Sequence, residues 1–163
     1  MTRERTAHLV HDGGSRYLAT TGTGRRVVYG DSTEANELSP VEMIVVSLAG
    51  CSAMDVLSIA SKKRQAIERY EVHVRGLQRD AYPQILTEVT VTHDVWGPGL
   101  AEAAIRRAIE LSATRYCPVN AMVSAGATEV HHRYRIHDTA KGSESGGLVL
   151  TTGPYQRPDI LPG

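Results

Sequence analysis

A long stretch without helix breakers, from Ser39 to Arg64, constrains the fold of this 163-residue chain more than any other segment. Ser39 and Pro40 are residue types that cap and open helices, and only Gly50 interrupts the helix formers that follow. The sequence therefore predicts a helix of about 25 residues that begins at Pro40. Its apolar side chains point in all directions, which is typical of a helix that is buried on every side.

A helix of this kind is difficult to cover in a chain of this length. One subunit offers too little apolar surface to enclose it, and a second copy of the chain can supply the rest. The pattern therefore favours a homodimer.

Segments of alternating polarity surround the long helix and predict strands. They are 6–10, 17–21, 25–29, 70–77, 85–95 and 128–137. The tripeptide GPG at 97–99 precedes a second helix, whose apolar stripe includes Ile105 and Ile109. The order of strands, long helix, strands, helix and strand predicts an α+β fold in which antiparallel sheet packs against helices.

We expect one domain over residues 1–137 and a tail over residues 138–163. A chain of this length can bury enough surface to fold without disulfides. From Asp138 onward the composition shifts to Gly, Ser, Thr and Pro, which predicts little regular structure.

The charge balance argues against two classes of partner. Eighteen basic and eighteen acidic side chains cancel, so no overall field draws the protein to nucleic acid or to an anionic membrane. Ser47, Ser52 and Asp55 interrupt the longest apolar stretch, so no membrane span is expected. The N-terminal sequence MTRERTAHLV lacks the apolar core of a signal peptide. A cytoplasmic location follows as the expectation, and with it free thiols.

The two cysteines are the candidate reactive groups. Cys51 lies in the middle of the long helix on a face of small and polar residues, and Asp55 lies one turn further on. A charged Asp55 at that distance raises the pKa of the Cys51 thiol, so a reactive Cys51 needs a cation nearby. The sequence offers Arg16, Arg25, Arg26 and Arg115. Alternatively, Cys51 is a small hydrophobic residue at a tight helix crossing.

Cys117 has a different setting. Pro118 fits the first position of a short helix, which makes Cys117 the cap of that helix. The positive end of the helix dipole then favours the thiolate. From these local features alone, Cys117 is expected to be the more acidic thiol.

Two segments, SPVEMIVVSLAGCSAMDV and the later YCPVNAMVSAGATEV, together resemble the osmotically inducible protein C / organic hydroperoxide resistance (OsmC/Ohr) family. The resemblance covers residues 5–137. It implies an intertwined homodimer, with two long central helices wrapped by curved antiparallel sheets. It also implies a peroxidase for organic hydroperoxides, with Cys51 peroxidatic and Cys117 resolving, and an external dithiol as reductant. It implies no metal, flavin or haem.

The start of the long helix departs from the typical peroxidases of the family. In these a glutamate directly follows the helix-opening proline and helps to hold an activating arginine. Here Val41 occupies that place and Glu42 comes one residue later. The counterpart of the arginine is Arg16, in GGSRY. Arg16, Glu42 and Asp55 are the expected supporting residues.

Two alternatives stay open. The first is a non-catalytic protein that binds a small apolar molecule at the same site, with the cysteines as lining. The second is a metal site built from Cys117, His131, His132 and His137. On a strand, His131 and His137 share one face while His132 points away, and no C-x-x-C or H-x-x-x-H pair reinforces this set.

Overall fold

The computed structural model describes residues 3–31 and 37–154. The chain divides into two compact units, Met1–Ile44 and Val45–Gly163. The first unit contains a three-stranded sheet in the order β1 (Ala7–His11), β2 (Tyr17–Thr21) and β3 (Arg26–Tyr29). Both pairs of strands are antiparallel, which confirms the prediction of antiparallel sheet for this part of the chain. The turn between β2 and β3 requires a positive φ of 78°, which Gly24 supplies.

The long helix α1 (Pro40–Lys62) begins at the predicted residue. Ser39 and Glu42 cap it reciprocally. The Ser39 N–H donates to the Glu42 carboxylate at 2.7 Å, and the Glu42 N–H donates to the Ser39 hydroxyl at 3.2 Å. This capping box satisfies two backbone donors at the helix start.

The capping box makes a testable prediction about stability. Replacing Ser39 by alanine removes the acceptor for the Glu42 N–H, so we expect the free energy of unfolding to fall by about 1 kcal/mol. Urea unfolding of the wild type and the Ser39→Ala variant measures the difference. Ser39→Asp keeps an acceptor and is the matched control. An unchanged unfolding midpoint in Ser39→Ala would contradict the role of the cap.

Helix α1 is buried on one face within the described chain. Its buried residues recur every four positions, at Leu48, Ser52, Val56 and Ala60. On other faces, Met54 is 75% exposed. Within the described single chain the helix is therefore buried on one face only, and the expectation that a second copy covers the other faces stays a prediction.

Helix α1 also passes the length and composition test for a membrane span. The expectation that its serines and Asp55 exclude such a stretch is therefore wrong. One such helix is weak evidence of a span, because core helices of soluble proteins pass the same test. Within this fold Ser52 and Asp55 both contact the Ser112 side chain, so these two polar groups have a partner inside the protein.

The second unit contains a four-stranded sheet. Its order is β4 (Arg69–Gln78), β5 (Leu86–Gly97), β6 (Glu129–Asp138) and β7 (Ser143–Thr152). The outer pairs are antiparallel, whereas β5 and β6 are parallel. The prediction of a wholly antiparallel sheet is wrong at this central pair. The chain between β5 and β6 forms two helices, and such a crossover returns the next strand in the same direction.

Strand β7 lies in the segment that was expected to be an irregular tail. The predicted boundary after residue 137 falls inside the second unit, and the expectation of little structure is wrong for residues 143–152. The glycines of this segment fit a strand that approaches its neighbour closely. A Cβ on Gly146 would come within 2.9 Å of the Tyr134 carbonyl oxygen. Residues 155–163 of the expected tail lie outside the described residues, and the single domain expected over residues 1–137 stays a prediction.

Three helical segments complete the second unit. Helix α2 (Glu102–Leu111) continues into a π-helical turn (Ser112–Tyr116), and α3 (Pro118–Ser124) follows. The core joins α1, α2 and the sheet through Val56, Val95, Ile105, Ile109 and Ile136. The predicted stripe of α2 is confirmed as its buried face.

Candidate active site

Cys51, Asp55 and Cys117 come together in the second unit. The two sulfur atoms and one carboxylate oxygen all lie within 4.8 Å of one another. Cys51 and Asp55 lie one turn apart on α1, and Cys117 is brought to them at the start of α3. Both cysteines are free; Cys51 is half-buried and Cys117 is buried. We call these three residues the thiol site.

Cys117 caps helix α3, as the sequence predicted. Its sulfur accepts a hydrogen bond from the Asn120 N–H at 3.3 Å, and Pro118 occupies the first helical position. Burial nevertheless raises the pKa of the Cys117 thiol to about 12, and the neighbouring Cys51 and Asp55 raise it as well. The prediction that the helix dipole makes Cys117 an acidic thiol is therefore wrong. Burial beside two acidic groups outweighs one backbone hydrogen bond.

A row of buried polar groups runs from Asp55 into the core. The Ser112 hydroxyl donates to Asp55 Oδ2 at 3.1 Å and lies 3.5 Å from the Ser52 hydroxyl. Ser52 Oγ lies 3.3 Å from Nε2 of His93. The Tyr70 hydroxyl lies 2.6 Å from Nδ1 of His93. We call these five residues the polar chain.

The donor directions in the polar chain follow from its end at Asp55. Because a hydroxyl has one hydrogen and Ser112 gives it to Asp55, Ser52 donates to Ser112. Ser52 in turn accepts from the Nε2–H of His93, which leaves Nδ1 to accept from the Tyr70 hydroxyl. The imidazole is thus neutral, and burial lowers the pKa of His93 to about 3. Burial raises the pKa of Tyr70, which keeps its hydroxyl a donor.

A second set of buried groups holds Cys117 from the other side. The Asn120 side chain donates to the Ala113 carbonyl at 2.8 Å, and its Oδ1 lies 3.0 Å from Nε2 of His132. The His132 ring stacks on that of His93, with 6.3 Å between ring centroids. Burial lowers the pKa of His132 to about 4. Asn120, whose N–H contacts the Cys117 sulfur, is therefore fixed in orientation.

The sequence did not single out five residues of these networks as site residues, namely Ser52, Tyr70, Ser112, His93 and Asn120, and it considered His132 only as a member of the alternative metal set. For the two histidines a signal existed, because each alternates with valines on the buried face of its strand: His93 follows Val91 on β5, and His132 follows Val130 on β6. A histidine at a buried, otherwise apolar strand position needs a hydrogen-bonding partner. The sequence alone does not identify that partner.

Arg16 and Glu42 belong to the first unit, and each has a partner there. Arg16 pairs with Asp12 at 3.2 Å, and Glu42 caps α1. Arg115, another arginine considered for activation, lies over the Tyr116 ring at 5.6 Å. The expected support of the thiols by Arg16 and Glu42 stays a prediction. Asp55, by contrast, lies in the thiol site itself.

The histidines of the alternative metal set do not form a ligand group with Cys117. His131, His132 and His137 contact Thr151, Asn120 and Glu144, respectively. Within residues 3–31 and 37–154, the group of three or more side chains with suitable ligand spacing is the thiol site. The metal set considered from the sequence is therefore wrong.

Comparison with known proteins agrees with this fold. Residues 31–133 match the OsmC-like protein family. Protein YhfA of Escherichia coli (strain K12) is 32% identical over 123 residues, which are 76% of this chain and 91% of YhfA. A hypothetical protein from Aquifex aeolicus VF5 superposes with a TM-score of 0.74 at 27% identity, over 83% of this chain and 97% of that one.

A more distant structure shows the same fold. An organic hydroperoxide resistance protein from Elizabethkingia anophelis superposes with a TM-score of 0.63 at 14% identity, over 85% of this chain and 99% of that one. This likeness concerns the fold alone. On the family match and the similarity to YhfA, the chain belongs to the OsmC-like family.

Proposed function

We propose that this protein is a thiol-dependent peroxidase that reduces organic hydroperoxides in defence against oxidative stress. The observation that carries the proposal is the placement of two free sulfur atoms within 4.8 Å of each other. A disulfide requires the two sulfurs to approach to about 2.05 Å, so in this proposal the cysteine side chains rotate toward each other when the bond forms. The fold that the chain shares with organic hydroperoxide resistance proteins supports the same chemistry.

Burial and acidity divide the roles between the cysteines. Cys51 is half-buried, so a substrate reaches it before the buried Cys117. The raised pKa of about 12 keeps Cys117 protonated at neutral pH, and a protonated thiol is a poor nucleophile. Cys51 is therefore the peroxidatic cysteine in this proposal and Cys117 the resolving one.

The reaction has three steps. The Cys51 thiolate attacks the peroxide: an S–O bond forms, the O–O bond breaks, and the alkoxide takes up a proton and leaves as alcohol. Cys117 then attacks the sulfenic acid: an S–S bond forms, and the departing hydroxide leaves as water with the Cys117 proton. Asp55, close to both sulfurs, is the group placed to pass that proton. An external dithiol reduces the disulfide by exchange.

The first unit contributes the activating cation in this proposal. Arg16 supplies positive charge to the Cys51 thiolate, as the family resemblance implies, and Glu42 supports it. No lysine or arginine within residues 45–154 forms an ion pair with Asp55. The negative charge of Asp55 beside Cys51 is therefore not offset by an ion pair within this range, and a cation is needed to favour the thiolate.

We further propose a homodimer in the cytoplasm. OsmC/Ohr family proteins are generally dimeric. Helix α1 leaves Val46, Met54 and Leu57 exposed in the single chain, with exposed fractions of 52%, 75% and 40%. An apolar face of this kind is the surface that a second subunit covers.

A thiol titration tests the peroxidase directly. One equivalent of cumene hydroperoxide, added to the reduced protein without air, should remove both thiols that Ellman's reagent detects in denaturant. Mass spectrometry should show a loss of two hydrogens and no added oxygen, and dithiothreitol should restore both thiols. Retention of both thiols would contradict the proposal.

The alternative function is binding of a small apolar molecule without catalysis. The observation that favours it is the engagement of the Glu42 carboxylate in the cap of α1. A binding protein keeps both thiols in the titration above, so the same experiment separates the two functions.

A further inference from the structure

We propose that the reduced thiol site binds one thiophilic divalent metal ion, with Zn²⁺ as the physiological example. The ligands are the sulfur atoms of Cys51 and Cys117 and a carboxylate oxygen of Asp55. Binding does not depend on peroxidase activity, whereas its effect on turnover rests on the proposed function.

The geometry of the three ligand atoms fits such an ion. In a tetrahedral zinc site with Zn–S near 2.3 Å and Zn–O near 2.1 Å, neighbouring ligand atoms are about 3.5 to 3.8 Å apart. Here all three lie within 4.8 Å of one another. A contraction of at most about 1.3 Å between ligand atoms therefore completes the arrangement.

Hydrogen bonds already orient two of the three ligands. Ser112 donates to Asp55 Oδ2, and the Asn120 N–H donates to the Cys117 sulfur. Ser112 and Asn120 are themselves fully buried and hydrogen-bonded. Such outer partners fix ligand orientation in metal sites, and their loss commonly weakens binding.

The charge of the site favours a cation. Asp55 forms no ion pair with residues of the range 45–154, and once a metal ion has displaced both thiol protons, two thiolates and one carboxylate supply three negative charges to it. A divalent ion cancels most of this charge and displaces the thiol protons as it binds. Two sulfur ligands select Zn²⁺ or Co²⁺ over Mg²⁺ and Ca²⁺, which prefer oxygen.

The ligand set leaves one position open. With three protein ligands, a tetrahedral ion keeps a fourth site for water or an added thiol. Cys51 is half-buried, so the ion can enter from solvent. Coordination to the metal ion slows the attack of the sulfurs on a hydroperoxide, and the disulfide, once formed, cannot ligate the ion. Oxidation by one hydroperoxide, with two protons, therefore gives the disulfide, an alcohol, water and the released ion.

Titration of the reduced, metal-free chain with Co²⁺ under anaerobic conditions tests the proposal. We expect one ion per chain, a sulfur-to-cobalt charge-transfer band in the near ultraviolet and the visible bands of tetrahedral cobalt. Zn²⁺ should displace the Co²⁺, and excess Mg²⁺ should not. Absence of the charge-transfer band would overturn the proposal.

Variants assign the ligands. Cys51→Ser and Cys117→Ser should each weaken Co²⁺ binding by about 100-fold or more, and Asp55→Asn by about 10-fold. Asp80→Asn makes the same chemical change at an exposed position and should bind as the wild type does. Circular dichroism and thermal unfolding establish that each variant is folded. Unchanged affinity in Asp55→Asn would overturn the three-ligand site.

The outcome is distinguishable from that of the proposed function. A chain that binds Co²⁺ through its thiols but resists cumene hydroperoxide contradicts the peroxidase and leaves the metal site standing. A chain that hydroperoxide oxidises but that shows no cobalt–sulfur band contradicts the metal site alone.

Discussion

Replacing Cys51 by serine should lower hydroperoxide turnover with a dithiol donor by roughly three orders of magnitude or more. A serine hydroxyl is neither ionised at neutral pH nor a comparable nucleophile toward oxygen, so the first bond cannot form. Peroxide consumption measured over time with dihydrolipoamide or dithiothreitol gives the rate. The uncatalysed reaction of the dithiol with peroxide is the baseline.

The matched variant Cys117→Ser should behave differently. Its Cys51 still reacts once, so one equivalent of peroxide disappears and a sulfenic acid forms. That species has no resolving partner in the chain, and dimedone should trap it as a single adduct. The buried Cys117 and the half-buried Cys51 thus give two distinct products. If both serine variants turned over peroxide at the wild-type rate, the catalytic proposal would fail.

The second large effect is a loss of folding stability at acidic pH. Stability should fall by about 3 kcal/mol between pH 6.5 and pH 5, because two buried histidines resist protonation in the folded state. Burial lowers the pKa of His93 to about 3 and that of His132 to about 4, from a normal value of 6.5. In this window the unfolded chain binds up to two more protons than the folded chain. The contribution of the two neutral histidines to the free energy of unfolding is therefore present above pH 6.5. It is lost as the pH falls toward the pKa values of the folded state.

Urea unfolding at pH 7, 6 and 5 measures this loss. His93→Gln should lower stability at pH 7, because it breaks the contacts to Tyr70 and Ser52, yet roughly halve the change with pH. Val91→Ala lies on the same buried face of β5 and is the control. It should lower stability equally at all three pH values. A pH slope in His93→Gln equal to that of the wild type would contradict the linkage.

Local features of the sequence predicted the elements of the fold well. Ser39 and Pro40 marked the start of α1, and Pro118 placed Cys117 at the cap of α3, because capping depends on a few neighbouring residues. Strand directions depend on tertiary packing instead. The parallel pair of β5 and β6 was missed for that reason, and β7 was missed because its serines and glycines resemble those of a loop.

The sequence predicted which residues form the thiol site but not the acidity of Cys117. The family resemblance paired Cys51 with Cys117, and helical spacing brought Asp55 to Cys51. The predicted acidity of Cys117 was wrong, because burial cannot be read from the neighbouring residues in the sequence. Here burial raises the pKa of Cys117 by more than the start of helix α3 lowers it. The other four members of the polar chain were missed because their hydrogen-bond partners lie far away in sequence and are brought together only by the fold.

The hydrogen-bond directions in the polar chain have a consequence for the binding of an apolar substrate in the proposed reaction. The Asp55 carboxylate accepts a hydrogen bond from Ser112, and the hydrogen bonds of Ser52, His93 and Tyr70 hold Ser112 in this orientation. The carboxylate therefore has a hydrogen-bond donor from the protein in addition to water. An alkyl chain that drives water away from Cys51 leaves this donor in place. In the proposed peroxidase, the loss of water around Cys51 therefore leaves the hydrogen bond from Ser112 to Asp55 in place when an apolar hydroperoxide binds.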